Sequence, residues 1–174
     1  MRGLIHIYCG DGKGKTTAAI GLAVRCCGAG EKVLLFQFLK GNNSSERKMI
    51  EKIENITVIP GRQSIKFVNQ MTEEEKAEMR EFYKGKFEEI KAMVKGGGYR
   101  MLVLDEMIAT VNCGFVTEEE LLEFLKEKPE ELEVVMTGRE PKESLCKMAD
   151  YITEMKMIKH PYEQGIPARK AIEF

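Results

Sequence analysis

Apolar residues in this chain fall in short continuous runs, separated by longer stretches in which they recur every three or four positions. The runs read as buried strands: Leu4 to Cys9, Lys32 to Phe38, Ile56 to Ile59, Met101 to Asp105, Val134 to Thr137 and Ile152 to Ile158. The intervening stretches read as helices. Thr16 to Cys27 stops at Gly28-Ala29-Gly30, and Ser44 or Ser45 caps a helix through about Ile53. Thr72-Glu73-Glu74-Glu75 is a capping box, in which threonine and glutamate side chains satisfy each other's free amides. The helix it opens carries a core-facing stripe of Met79, Phe82, Tyr83, Phe87, Ile90 and Val94, and ends at Gly96. Thr117 to Lys126 is a second boxed helix, and Pro141 to Ala149 a helix with proline in its first turn. The tail from Lys159 is irregular, apart from a short strand expected at Ala168 to Phe174.

Strands alternating with helices, several of them apolar throughout, imply a mainly parallel sheet covered on both faces. The expected fold is a three-layer α/β sandwich, with residues 1–174 forming one domain. Composition adds limits to this picture. A net charge of -1, from 27 basic and 28 acidic residues, gives no global field for nucleic acid or an anionic membrane. No apolar run is long enough to span a bilayer, and Met1 to Leu4 leads into a strand without a signal-peptide pattern. The five cysteines have no CxxC spacing, so reduced thiols in a cytoplasmic protein are expected.

The first strand runs into Gly10-Asp11-Gly12-Lys13-Gly14-Lys15-Thr16-Thr17 and then a helix. Strand, glycine loop and helix together make a phosphate cradle, because glycines admit the oxygens and the helix start offers free amides. Lys15 would reach between phosphates of ATP and the Thr16 hydroxyl would ligate Mg²⁺. The loop is short. Cys9 stands where the common motif has its first glycine, which moves Gly10 one place late. Asp105 and Glu106 end the apolar strand Met101 to Leu104, where carboxylates can hold Mg²⁺ beside Thr16. These features place the fold in the P-loop NTPase-like (RecA-like) class.

Those motifs fit many nucleotide enzymes. The short loop with Arg25, Gln37-Phe38-Leu39-Lys40-Gly41, Glu46-Arg47, Val103 to Glu106, Thr137-Gly138-Arg139 and Lys159-His160 together narrow the choice. In order, over nearly the whole chain, they resemble the P-loop type of ATP:corrinoid adenosyltransferases. The resemblance implies that cobalt(I) of a reduced corrinoid attacks the 5′ carbon of ATP and releases triphosphate. It implies roles for Lys13, Lys15, Lys40 and Arg139 on the triphosphate, and for Arg25 near the adenine or ribose. On the residues alone Arg25 fits a solvated helix face equally well. ATP would lie reversed relative to most P-loop enzymes, with its 5′ carbon toward the corrinoid. Ile65 and Phe67 look like counterparts of the apolar residues that expel the lower axial ligand, although ordinary loop packing is an equal alternative. Asp11 stands where the family has Asn, and its carboxylate is expected to face the ribose or the metal. His160 reads as a hydrogen-bonded loop residue rather than a ligand. A flavoprotein-type reductase is a compatible partner, and a homodimer the expected assembly. The rival reading is an ATP hydrolase or ATP-driven switch, with Glu106 activating water.

Overall fold

The computed structural model describes residues 1–42 and 44–173. The six apolar runs form β1 (Ile5–Cys9), β2 (Val33–Gln37), β3 (Ile56–Val58), β4 (Met101–Asp105), β5 (Glu133–Thr137) and β6 (Tyr151–Glu154). They make one sheet in the order β3-β2-β4-β5-β1-β6, and every adjacent pair is parallel. The helices are α1 (Lys15–Gly28), α2 (Arg47–Ile50), α3 (Glu73–Lys95), α4 (Met107–Asn112), α5 (Glu118–Glu127) and α6 (Glu143–Met148). Because all strands point one way, every loop leaving a strand's C-terminal end emerges along the same edge. That edge is where ligands bind in open α/β sheets.

Both sheet faces are covered, as the unbroken apolar strands require. On one face Ala19 and Ala23 of α1 pack with Val33, Leu35, Val103 and Val135. On the other, Met79, Tyr83, Phe87, Ile90 and Val94 of α3 pack with Leu34, Phe36, Leu102 and Leu104. The capping boxes at Thr72 and Thr117 form with both reciprocal bonds.

Several boundaries differ from expectation, each for a local reason. The helix expected through Ile53 is only the single turn of α2, whose N-cap is Glu46 with no side-chain cap. The Glu46 carboxylate accepts from Gln37 instead. Phe82 sits at the margin of the core stripe, half-buried against the core, with the Arg62 guanidinium 5.1 Å from its ring centroid. The last strand ends at Glu154 because Met155 to Met157 turn onto the glycine loop. Over residues 168–173 there is a turn, not a strand, closed by an Arg169–Glu173 ion pair. Phe174 lies outside the described residues. Helix α4 has no sequence signal of its own: it begins after Glu106, a non-glycine residue at φ 59.

The long helix α3 also anchors the loop after β2. Tyr83 is 1% exposed, and its phenol oxygen accepts the Leu39 N–H at 2.8 Å. Burial pushes the Tyr83 phenol up to about 12. Leu39 sits at φ 52, so this bond holds a strained backbone just before Lys40. Tyr83→Phe should destabilise the protein by about 1–3 kcal/mol in urea unfolding, the cost of an orphaned buried amide. A variant as stable as the parent would mean that the phenol does not hold this loop.

Candidate active site

The glycine loop closes β1 onto α1. Gly14 is the N-cap of α1 at φ 112, and Gly10 turns the chain at φ 100, both conformations that strain any other residue. A Cβ built at Gly10 or at Gly12 would lie 2.5 Å from the Met155 carbonyl oxygen. The segment after β6 is pressed against the loop. Met155 N donates to Cys9 O at 2.8 Å, Gly12 N to Met155 O at 2.6 Å, and Met157 N to Asp11 Oδ1 at 2.9 Å. The Asp11 carboxylate accepts from the Met157 amide through Oδ1, and that bond holds it below the usual carboxylate range. Gly12 N–H is likewise engaged by this segment. Cys9, still paired in the sheet beside Glu154, explains the short loop: the turn cannot begin before Gly10.

Lys15 opens α1 and folds over the loop, its Nζ donating to Gly10 O and Gly12 O at 2.8 Å each. Partial burial, and then the nearby Arg139 guanidinium, lower its pKa. Two cations close enough to disfavour each other's charge suit an anion. Arg139 follows Gly138, where an added Cβ would meet Ile108 Cβ at 2.5 Å. Its field also lowers the pKa of Asp11 and opposes the rise at Glu106, which places it at the loop.

Asp105 is the centre of the acidic half. It is 1% exposed, at the end of β4. Its Oδ1 accepts from Thr16 Oγ1 at 2.9 Å and Thr137 Oγ1 at 2.7 Å. Its Oδ2 accepts from Lys40 Nζ at 2.8 Å and Gln37 Nε2 at 3.2 Å. The structure thus brings Thr16, Lys40 and Asp105 into direct contact. Glu106 follows, its amide donating to Thr137 Oγ1 at 2.8 Å. Burial, and next the adjacent Asp105 charge, raise the Glu106 carboxyl.

Strand order explains the part played by Thr137 and Gln37. β5 lies between β1 and β4, so the last residue of β5 sits between the glycine loop and the acidic pair. β2 flanks β4 on its other side, in register Gln37 to Asp105. Both residues belong to short sequence motifs, but their contacts depend on strand order, which no single motif reveals. Gln37 Oε1 is buried without a partner.

The other expected residues differ in exposure and position. Arg25 is exposed near the end of α1, about 15 Å along the helix from Lys15 at 1.5 Å per residue. Lys13 and Thr17 are exposed. Ile65 is half-buried against the core, whereas Phe67 is 78% exposed. The His160 Nδ1 accepts from Tyr162 N at 3.2 Å, a loop hydrogen bond as expected.

The donors at the acidic half suit magnesium: one hydroxyl and two carboxylates, all hard oxygens, with neighbouring phosphates left to complete the shell. The raised Glu106 carboxyl points the same way, since a divalent cation relieves like-charge crowding. The fold and this constellation define a P-loop nucleotide-binding protein. In solved structures the cytoplasmic domain of EssC superposes with a TM-score of 0.54 at 16% identity, covering 97% of this chain and 34% of that one, a likeness of fold. The model of the family described as ATP:corrinoid adenosyltransferase BtuR/CobO/CobP matches residues 1–174, and the chain belongs to that family. Among its relatives is a corrinoid adenosyltransferase of Escherichia coli (strain K12), 32% identical over 99% of this chain and 86% of that protein. Another is a corrinoid adenosyltransferase of Sinorhizobium sp, 34% identical over 99% of this chain and 81% of that protein.

Thr137→Val keeps shape but removes the hydroxyl that joins Asp105 to the Glu106 amide. It should weaken magnesium binding about 10–100-fold, as losses of outer-shell partners do. A magnesium titration in the presence of ATP measures this. An unchanged curve would remove Thr137 from the site.

Proposed function

We propose that this chain transfers the 5′-deoxyadenosyl group of ATP to cobalt(I) of a reduced corrinoid, in adenosylcobalamin biosynthesis or salvage. The cobalt electron pair attacks C5′, the Co–C bond forms as the C5′–O bond breaks, and that oxygen leaves with inorganic triphosphate. Cobalt(I) is itself the nucleophile, so the protein's task is to hold and neutralise the leaving group. The observation that carries this reading is that Lys40 joins Thr16 and Asp105 while Lys15 folds over the adjoining glycine loop, within the field of Arg139. Lys15 bridges the loop where the triphosphate would lie, and Arg139 adds charge beside it. Thr16, Asp105 and Glu106 would hold Mg²⁺, which when bound neutralises phosphate charge as a Lewis acid. Lys13, Gly10, Gly14 and Thr17 complete the phosphate loop, and Arg25 is proposed for the adenosine end.

For the corrinoid we propose the loop after β3. Asn42 ties it to the Lys40 loop by three bonds: Asn42 Nδ2 to Gly61 O at 2.9 Å, Gly61 N to Asn42 Oδ1 at 2.9 Å, and Asn42 N to Arg62 O at 3.0 Å. Phe67 presents an exposed aromatic ring, and Ile65 packs its loop onto the core. An aromatic surface there would face the corrinoid and displace its lower axial ligand. A homodimer is supported by apolar surface on the edge strand, where Tyr151 and Ile152 are 52% and 48% exposed. A flavoprotein-type reductase and a cytoplasmic location complete the proposal.

With ATP, Mg²⁺ and chemically reduced corrinoid, the enzyme should form the light-sensitive alkyl-cobalt product, followed spectrally. Lys15→Ala should abolish that signal without unfolding the protein, because a charge-assisted phosphate contact is lost. Near-normal turnover by that variant at saturating ATP would overturn the phosphate-loop assignment.

Phe67→Ala tests the corrinoid loop. It should depress turnover strongly when the reaction starts from cobalt(II) with a reductant, and little when cobalt(I) is supplied. Equal loss in both assays would mean general destabilisation, and no loss in either would place the corrinoid wall elsewhere.

A further inference from the structure

We infer that the Lys40 ammonium and magnesium are alternative occupants of one cation position, so that Lys40 keeps the metal site charge-balanced until magnesium and triphosphate arrive together. The inference rests on the metal-site reading above and concerns how that site is regulated. Lys40 Nζ lies 2.8 Å from Thr16 Oγ1 and 2.8 Å from Asp105 Oδ2. The Thr16 hydroxyl gives its hydrogen to Asp105 Oδ1, so what it offers Lys40 is lone-pair density. Metal ligation by Thr16 needs the same density. A magnesium at its usual distance of roughly 2.1 Å from that oxygen would stand within a few ångströms of the ammonium. Two cations so close repel, and the ammonium must leave.

The side chain is able to leave. It is 24% exposed, while the carboxylate it pairs with is 2% exposed. Its backbone belongs to a loop that stays anchored without it: Leu39 N is bonded to Tyr83, and Asn42 to Gly61. Lysine is a flexible tether ending in a compact charge, suited to such movement, where the planar fork of arginine is not. With Glu106, the other carboxylate near Lys40, taken up by the metal, the anion open to the displaced ammonium would be the triphosphate on the adjoining loop. Magnesium alone meets a competitor, whereas magnesium with triphosphate supplies a new partner for the charge it displaces. The site would therefore favour the metal–nucleotide complex over the free ion.

The test is binding, without corrinoid. Mn²⁺, standing in for magnesium, is titrated by electron paramagnetic resonance in the absence of nucleotide. Lys40→Met should bind it about tenfold more tightly than the parent, the scale of one charge-assisted hydrogen bond removed from competition. In the presence of Mg²⁺, the same variant should bind inorganic tripolyphosphate about tenfold more weakly by calorimetry, again one such bond. Lys40→Gln, neutral but able to donate to Asp105, serves if the methionine variant does not fold. Unchanged or weaker Mn²⁺ binding in the folded variant would overturn the competition, and unchanged tripolyphosphate binding would overturn the transfer of the ammonium to phosphate. Asp105→Asn separates this from the underlying reading. If it binds Mn²⁺ like the parent, the metal site itself is misassigned, whatever Lys40 does.

Discussion

Asp105 carries a carboxylate at the middle of the sheet's C-terminal edge, 1% exposed, where an unpaired charge would cost several kcal/mol. Four side chains from three separate stretches of chain satisfy it: Thr16 from α1, Thr137 from β5, and Gln37 and Lys40 from β2 and the loop that follows it. None of these segments adjoins β4 in sequence, so the site exists only when the strand order is complete. The folding requirement and the binding requirement are thus one requirement. A buried anion needs donors, and the donors it gathers are those that can be shared with a metal and a triphosphate.

The glycine loop is shaped by a second long-range contact. Met155 to Met157 lie against Gly10 and Gly12 so closely that neither position can carry a Cβ. Asp11 closes the contact through the Met157 amide. Glycine here admits protein backbone, and the segment after β6 is a structural part of the loop proposed to hold phosphate.

Much of this was legible in the sequence because the physics was local. Apolar runs marked all six strands, capping boxes located the starts of α3 and α5 to the residue, and strand–glycine–helix located the loop. What depended on tertiary contact was not legible. The start of α4 is set by Glu106 in a left-handed conformation, and α2 is shortened where Glu46 is bonded to Gln37. The side chain of Asp11 is oriented by a partner 146 positions away. Thr137 and Gln37 were visible as motif residues, but their contacts follow from β5 and β2 flanking β4. The overestimated strands, at Met155 to Ile158 and at residues 168–173, are stretches whose backbone is bonded elsewhere: Met155 and Met157 to the glycine loop, Ile172 and Glu173 to Arg169.

As proposed, this site stabilises an intact triphosphate as leaving group and does not direct water to the γ-phosphate. Glu106 is the residue on which the two chemistries differ most, being placed either to hold metal or to activate water. Phosphorus magnetic resonance of the products separates them directly. After incubation with ATP, Mg²⁺ and cobalt(I) corrinoid, the spectrum should show inorganic tripolyphosphate in amounts equal to the alkyl-cobalt formed. ADP and orthophosphate as the main products, appearing whether or not corrinoid is present, would make the protein an ATP hydrolase instead.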